Sequence, residues 1–318
     1  MEEKQIRKLI EEGRELIRTG YDETDYSDYQ TDQELKKQQP PLVKEAMTDN
    51  IIDLPKNFDD LDADRDFFSV IDRRCSHRVF TQEKISLLQL SYLLWSCQGV
   101  KEIRGRSYAT LRTVPCGGAR HQFETYLALQ NVEGLEDGLY HYLPLVHKIE
   151  FLKKLDDLKG FIDKSLEGQI WASKANIVFY FSMVFYRVEW RYGIFAHRVA
   201  LIDAGHITEN IYLASTALNL GGCAIGSVDG GRLFGEEADE LLRLVGVFED
   251  IDAADLRLAR RGGEVAGEDI HGGGFSRAVR AEESDDLALA DPEGDIVDGE
   301  FRAVVFHKVV DFDHGIMF

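Results

Sequence analysis

The sequence predicts an α+β protein, and three observations carry that prediction. Residues 175–186 form a continuous run of β-branched and aromatic side chains, the pattern of a strand buried on both faces. Residues 196–220 carry a long helical pattern that ends at Gly221-Gly222, where a helix C-terminus favours glycine. A short apolar strand, 223–228, follows at once. Strands before and after helices in this order, over 318 residues, give an α+β layout with room for a sizeable core.

The elements follow in chain order. MEEKQIRKLIEEGRELI reads as an amphipathic charged helix rather than a secretory signal. A Tyr/Asp/Gln-rich stretch and the prolines at 40 and 41 then make residues 1–60 a helix plus an extended arm, a leader outside the core. A helix is expected over 64–74. Another spans 86–97, where Ser86 can cap and Leu87, Leu90, Leu94 and Trp95 fall near helical spacing. Segments 125–132, 138–142 and 147–151 read as strands separated by turn signals. In the helix over 196–220, Ala200, Ala204, Gly205, Ala214 and Ala217 offer a small-residue face suited to close helix packing or to a dimer contact.

The net charge of −20 argues against a nucleic acid partner, and equally against an anionic membrane surface. The charge is uneven. From Asp229 to Phe306 there are 21 acidic residues, eight Arg and no Lys. Four dispersed cysteines form no C-x-x-C pair, and no H-E-x-x-H spacing occurs, so neither a disulfide framework nor a metal site is suggested. The longest apolar run, 177–186, is too short to span a membrane. A reducing, cytoplasmic setting is the simplest reading.

Three segments are candidates for chemistry. Arg73, Arg74, Ser76 and Arg78 place three guanidiniums and a hydroxyl within six residues, the composition of an anion clamp. A solvated basic turn is the alternative. Pro115-Cys116-Gly117-Gly118 lets backbone approach a flat ligand, or is an ordinary turn before a strand. A nucleophilic Cys116–His121 pair in this loop is the weaker option, given only five residues of separation. Gly221–Gly226 closes a helix and opens a strand, the reverse of the dinucleotide fingerprint, and so reads as a helix cap plus a backbone face for a ligand.

In collinear order, these segments resemble the nitroreductase superfamily and its SagB-type dehydrogenase branch. The pattern R-x-S-x-R-x-F appears as Arg74 to Phe80, R-x-x-P-S-x-G-A as Arg112 to Ala119, and G-L-Y-H-Y at 138–142. SLLQLSYLLWSCQGV and WRYGIFAHRVALIDAGHITENIYLASTALNLGGCAIG match two longer family stretches.

The resemblance implies a central, mostly antiparallel sheet flanked by helices, and a homodimer with FMN at the interface. It divides the chain into a leader (1–60), an FMN-binding domain (61–246) and an acidic extension (247–318). It implies that Arg74, Cys75, Ser76 and Arg78 hold the FMN phosphate and ribityl chain. Pro115, Cys116 and Gly117 would line the isoalloxazine from the partner subunit, while Ile225 and Gly226 present backbone near flavin N5. The implied activity is hydride transfer between NAD(P)H and a small acceptor such as a nitroaromatic or quinone. Alternatives are dehydrogenation of azoline rings in a modified peptide, and flavin binding without turnover.

Two departures bear on this. Cys116 stands where the family has Ser. Arg191-Tyr192 stands where azoline-oxidising members have Lys-Tyr, and an Arg cannot act as the general base a Lys can become. Tyr192 remains able to donate or accept a proton, so Tyr192 and Arg191 are the catalytic candidates. After a short helix expected over about 235–246, the tail either holds a displaced last strand at 301–310 or is a divergent extension.

Overall fold

The computed structural model describes residues 3–17, 28–226 and 244–250. Helix α1 (Glu3–Ile17) is the expected amphipathic helix. The body is built on a sheet of seven strands among the described residues: β1 (Ile51–Asp53), β4 (Phe123–Leu129), β5 (Gly138–Leu143), β6 (Lys148–Lys153), β7 (Ile177–Met183), β8 (Leu220–Ile225) and β9 (Leu244–Asp250). Their order across the sheet is β1-β6-β5-β4-β7-β9-β8, and every pairing is antiparallel. A separate hairpin joins β2 (Val100–Arg104) to β3 (Ala109–Arg112).

The period-two geometry of a strand explains why β7 reads as unbroken apolar sequence. Ile177, Phe179, Phe181 and Met183 enter one hydrophobic cluster with residues of α3 (Leu87–Gln98) and α6 (Ala196–Ala217). Val178 and Tyr180 point the other way, into a second cluster with Leu158 and Ile162 of α4 (Leu158–Ser165). Helices therefore cover both faces, and neither set of side chains can be polar. Helix α3 begins where a local signal requires it: Ser86 accepts from the Gln89 amide while the Gln89 side chain accepts from the Ser86 amide, a reciprocal cap. Helix α2 (Phe67–Arg73) starts later than its pattern suggests because Asp66 caps it, accepting from the Phe68 amide.

Several sequence expectations change. The strand expected over 175–186 stops at Met183, and Phe185 opens a helix, α5 (Phe185–Tyr192). Helix α6 ends at Ala217, and Asn219, with φ of 58°, takes the left-handed position assigned to the glycines. Gly221 and Gly222 lie instead inside β8, which begins three residues earlier than expected. The small face of α6 turns inward except at Gly205, which is exposed. Ala200, Ala204, Ala214 and Ala217 are buried in the chain's own body, while Leu201 and Ile202 are exposed. Residues 244–246, expected to end a helix, open β9, which extends the sheet to Asp250; 235–243 and 301–310 lie outside the described residues.

The arm is not a detached leader. The Lys44 amide donates to Glu124 at 2.7 Å, and the Met47 and Thr48 amides donate to Glu150 at 2.7 Å each. Both carboxylates are buried, with His141 between them, its ring nitrogens 2.7 Å from Glu150 and 3.1 Å from Glu124. Arg187 of α5 pairs with Glu124 and donates to the Pro41 carbonyl at 2.8 Å. Within the same 1–60 segment, β1 joins the sheet against β6 and Leu54 enters the core.

Candidate functional site

The Arg74–Arg78 segment leaves α2 extended and lies along β8. A parallel bridge pairs Ser76 with Gly222, and the His77 amide donates to the Gly222 carbonyl at 2.9 Å. Tyr212 of α6 locks the two together: its hydroxyl shares a 3.0 Å hydrogen bond with Ser76 Oγ and accepts from the Ala224 amide at 2.7 Å. The Arg74 guanidinium stands 5.5 Å over the Tyr212 ring and that of Arg78 stands 5.9 Å over Trp171. Among the described residues neither is paired with a carboxylate. Arg73, by contrast, is committed to Asp64 at 2.8 Å and to the Asn219 side chain at 2.9 Å, so the clamp holds two available guanidiniums rather than three. Cys75 is exposed, its Sγ 3.0 Å from His77 Nε2. Ile225 is buried at the end of β8, and beyond it Gly226 is exposed with nothing within 4 Å of where a Cβ would stand.

The second group forms around Asp203 of α6, a carboxylate only 2% exposed. It accepts from the Gly117 amide at 3.0 Å, from the Cys116 thiol at 3.1 Å and from Gln122 Nε2 at 3.1 Å. The loop presses close to its neighbours. A Cβ on Gly117 would meet Val199 at 2.3 Å, and one on Gly118 would meet the Arg191 side chain at 2.4 Å and the Tyr192 hydroxyl at 2.9 Å. Pro115 is exposed at the start of this loop. The structure thus gathers Cys116, Gly117, Arg191 and Tyr192 in one place.

No Cys–His nucleophile forms here. The contact from His121 to Cys116 Sγ is through the His121 backbone amide, at 3.0 Å. Burial, with the Asp203 charge beside it, pushes the Cys116 thiol up to about 12, the wrong direction for a thiolate. Burial also lowers His121 to about 2. A Ser–His contact elsewhere, Ser91 Oγ to His147 Nε2 at 2.8 Å, is structural: Ser91 donates to the Pro55 carbonyl and both side chains are buried.

Asp203 and Tyr212 were not singled out from the sequence, although both lie in the longest matched stretch. Their separation is informative. Nine residues along a helix amount to about 14 Å of rise and a half-turn beyond two full turns, so they leave α6 on opposite faces. The Arg74–Arg78 segment on β8 and the Cys116–Gly118 loop are therefore anchored to opposite faces of α6. Chemically, the first offers cationic donors and a hydroxyl suited to phosphate. The second offers close backbone and a phenol that can donate or accept a proton. No cluster of metal-ligating side chains occurs among the described residues. No described helix is long and apolar enough to cross a membrane.

The Nitroreductase family model matches residues 71–251, more than half of the chain. A Methanocaldococcus jannaschii protein named as a nitroreductase, MJ1384, is 30% identical over 176 residues, covering 55% of this chain and 83% of that protein. The trifolitoxin-processing protein TfxB of Rhizobium leguminosarum bv. trifolii is 30% identical over 146 residues, covering 42% of this chain and only 38% of TfxB. A solved structure from Ralstonia eutropha JMP134, also named as a nitroreductase, superposes with a TM-score of 0.51 at 24% identity, covering 67% of this chain and 95% of that one. That likeness is one of fold. The chain belongs to the nitroreductase family, and with it to the oxidoreductases.

Proposed function

We propose that the chain is an FMN-dependent oxidoreductase of SagB type that works as a homodimer, moving hydride between NAD(P)H and a small acceptor such as a nitroaromatic or quinone. The observation that carries the reading is the anchoring of the Arg74–Arg78 segment and the Cys116–Gly118 loop on opposite faces of α6. A cofactor with a phosphate at one end and a flat ring at the other needs both kinds of surface. One chain turns them apart, so a second copy must supply the loop. Apolar side chains left exposed on α2 (Phe67, Phe68, Ile71) and α6 (Leu201, Ile202) offer that copy a surface to cover.

The donor set fits the group. Arg74, Ser76 and Arg78 would hold the phosphate and ribityl chain, with Cys75 between them. Ile225 and Gly226 would present backbone to the ring, and Pro115, Cys116 and Gly117 of the second copy would line it. When bound, FMN supplies the hydride chemistry at its ring nitrogen. The chain's own work is positioning: Asp203 fixes the Cys116–Gly117 backbone, Tyr192 offers a phenolic proton beside it, and Arg191 supplies positive charge.

The purified protein is expected to be yellow, and Arg74→Ala combined with Arg78→Ala is expected to remove the colour. Anaerobic bleaching by NADH or NADPH then marks a reductase. A colourless protein that takes up no added FMN overturns the reading.

The likeness to TfxB favours a second reading, azoline dehydrogenation in a modified peptide. Arg191 in the Lys position weighs against it. Oxidation of an azoline-bearing peptide without NAD(P)H, assayed by a mass loss of two hydrogens, would decide for it.

A further inference from the structure

Two guanidiniums meet beside the Cys116–Gly118 loop, and they share the same two anchors. The first anchor is Tyr108: Arg120 stands 4.8 Å over its ring, and Arg191 Nη1 donates to its hydroxyl at 2.8 Å. The second is Gly118: Arg120 Nε donates to its carbonyl at 2.9 Å, and the Arg191 side chain packs where a Cβ would stand. Gln33 of the arm donates to the Tyr108 hydroxyl at 2.7 Å, fixing the ring that both cations use. Arg120 is 3% exposed and lies 5.4 Å from the Trp190 ring; Arg191 is half-buried.

A buried guanidinium ordinarily has a carboxylate for company, because removing the charge from water is costly. Neither of these has one among the described residues. The carboxylates on the surrounding elements are taken. Asp203 holds Gly117, Cys116 and Gln122; Glu189 faces His197 at 2.9 Å; Asp32 pairs with Lys37 at 2.8 Å. Burial, with the Arg191 charge adding to it, lowers Arg120, consistent with two like charges left side by side. An anion between them would relieve that repulsion.

We infer that Arg120 and Arg191 form an anion subsite that selects acceptors bearing a carboxylate. This rests on the flavin-oxidoreductase reading and adds to it a substrate class. Arg191, half-buried and with only Nη1 engaged, has donors left for a carboxylate. Arg120 adds its charge from behind, its Nε and Nη2 held by the Gly118 and Tyr108 carbonyls at 2.9 and 3.0 Å, and the rings of Tyr108 and Tyr192 border the pair with aromatic surface suited to an aromatic acid. Such a subsite also explains what an Arg gains over a Lys at position 191: it gives up the role of base for a fixed charge with several donors.

The test compares 4-nitrobenzoate with 4-nitrobenzamide as acceptors for the holoenzyme, two molecules of nearly equal shape that differ in charge. One charged hydrogen-bonded contact corresponds to a preference of about tenfold or more in kcat/KM for the carboxylate. In Arg191→Gln the ratio of the two kcat/KM values is expected to fall toward one, whatever the absolute rate, and Arg191→Lys restores part of it. Titration calorimetry on the same preparations, with 4-nitrobenzoate as the probe, reads the subsite without turnover. A wild-type ratio near one, or a ratio unchanged in Arg191→Gln, overturns the inference. So does a rise in KM for NAD(P)H in Arg191→Gln with the ratio intact, since the anion would then be the dinucleotide pyrophosphate. A yellow, active protein without charge preference sinks the subsite alone. A colourless one sinks the flavin reading, and calorimetry then decides the subsite: binding of 4-nitrobenzoate that Arg191→Gln weakens supports it, and no binding overturns it.

Discussion

Replacing Asp203 with Ala removes the acceptor shared by three donors: the Gly117 amide, the Cys116 thiol and Gln122 Nε2, all within 3.0–3.1 Å. The carboxylate is 2% exposed, so water does not readily take its place. Each buried donor left without a partner costs about 1–3 kcal/mol, and partial rehydration of the loop brings the total to about 3–5 kcal/mol. Asp203→Asn keeps one acceptor oxygen and is expected to lose about half as much. Urea unfolding followed by far-UV circular dichroism measures the difference. The same change has a chemical signature: with the Asp203 charge gone, one cause holding the Cys116 thiol up at about 12 disappears, and its alkylation by iodoacetamide at pH 9 should quicken. Mass spectrometry of the Cys116 peptide follows that rate separately from exposed Cys75. Stability within 1 kcal/mol of wild type together with an unchanged Cys116 rate would refute the assignment of Asp203 as the loop's anchor.

Two further perturbations follow from geometry and charge. Burial acts to raise Glu124, but the His141 hydrogen bond and the Arg187 charge overcome it and hold it at about 2 against an ordinary 4.5. A depressed folded value stabilises above the unfolded one, so this contribution, on the order of 3 kcal/mol, is complete above pH 4.5 and fades as pH falls toward 2. Urea midpoints measured from pH 6 to 2.5 should fall more steeply for wild type than for Glu124→Gln, and parallel curves would contradict it. Gly118 has φ of +56°, and a Cβ there would meet the Arg191 side chain at 2.4 Å. Gly118→Ala should cost about 1–2 kcal/mol and shift Arg191, read as a lower thermal midpoint with an altered Tyr108 environment in near-UV circular dichroism.

What was legible in the sequence was what local chemistry decides. The α3 cap is a four-residue pattern, and β7 is apolar because both faces are covered, so each is readable in isolation. The closeness of Arg74, Ser76 and Arg78 to one another, and of Cys116 to Gly118, was legible for the same reason: each set is contiguous in sequence. Helix α5 was missed because Phe185 continues the apolar run of β7, and only the periodic burial of Arg187, Val188 and Trp190 distinguishes it. Strand β9 sits in an acidic stretch and owes its conformation to partners on both sides, Ile177↔Phe248 and Gly222↔Phe248. The roles of Asp203, Tyr212, Tyr108 and Arg120 depend on contacts across the fold. Nothing within their own windows announces an acceptor, a lock or an uncompensated charge.

The insertion of β9 between β7 and β8 has a consequence for biosynthesis. Among the described residues, β8 reaches the rest of the sheet only through a strand made later. As the chain is translated, β7 and β8 are both complete while the seat between them is still empty, and the Ser76–Gly222 bridge has no sheet to rest on. A nascent chain stopped before Leu244 would carry every residue of the anion clamp yet expose the apolar edge of β7, a template for aggregation and a signal for proteolysis. If FMN is held as proposed, nascent chains arrested short of residue 250 are expected to retain less of it than chains that extend through β9.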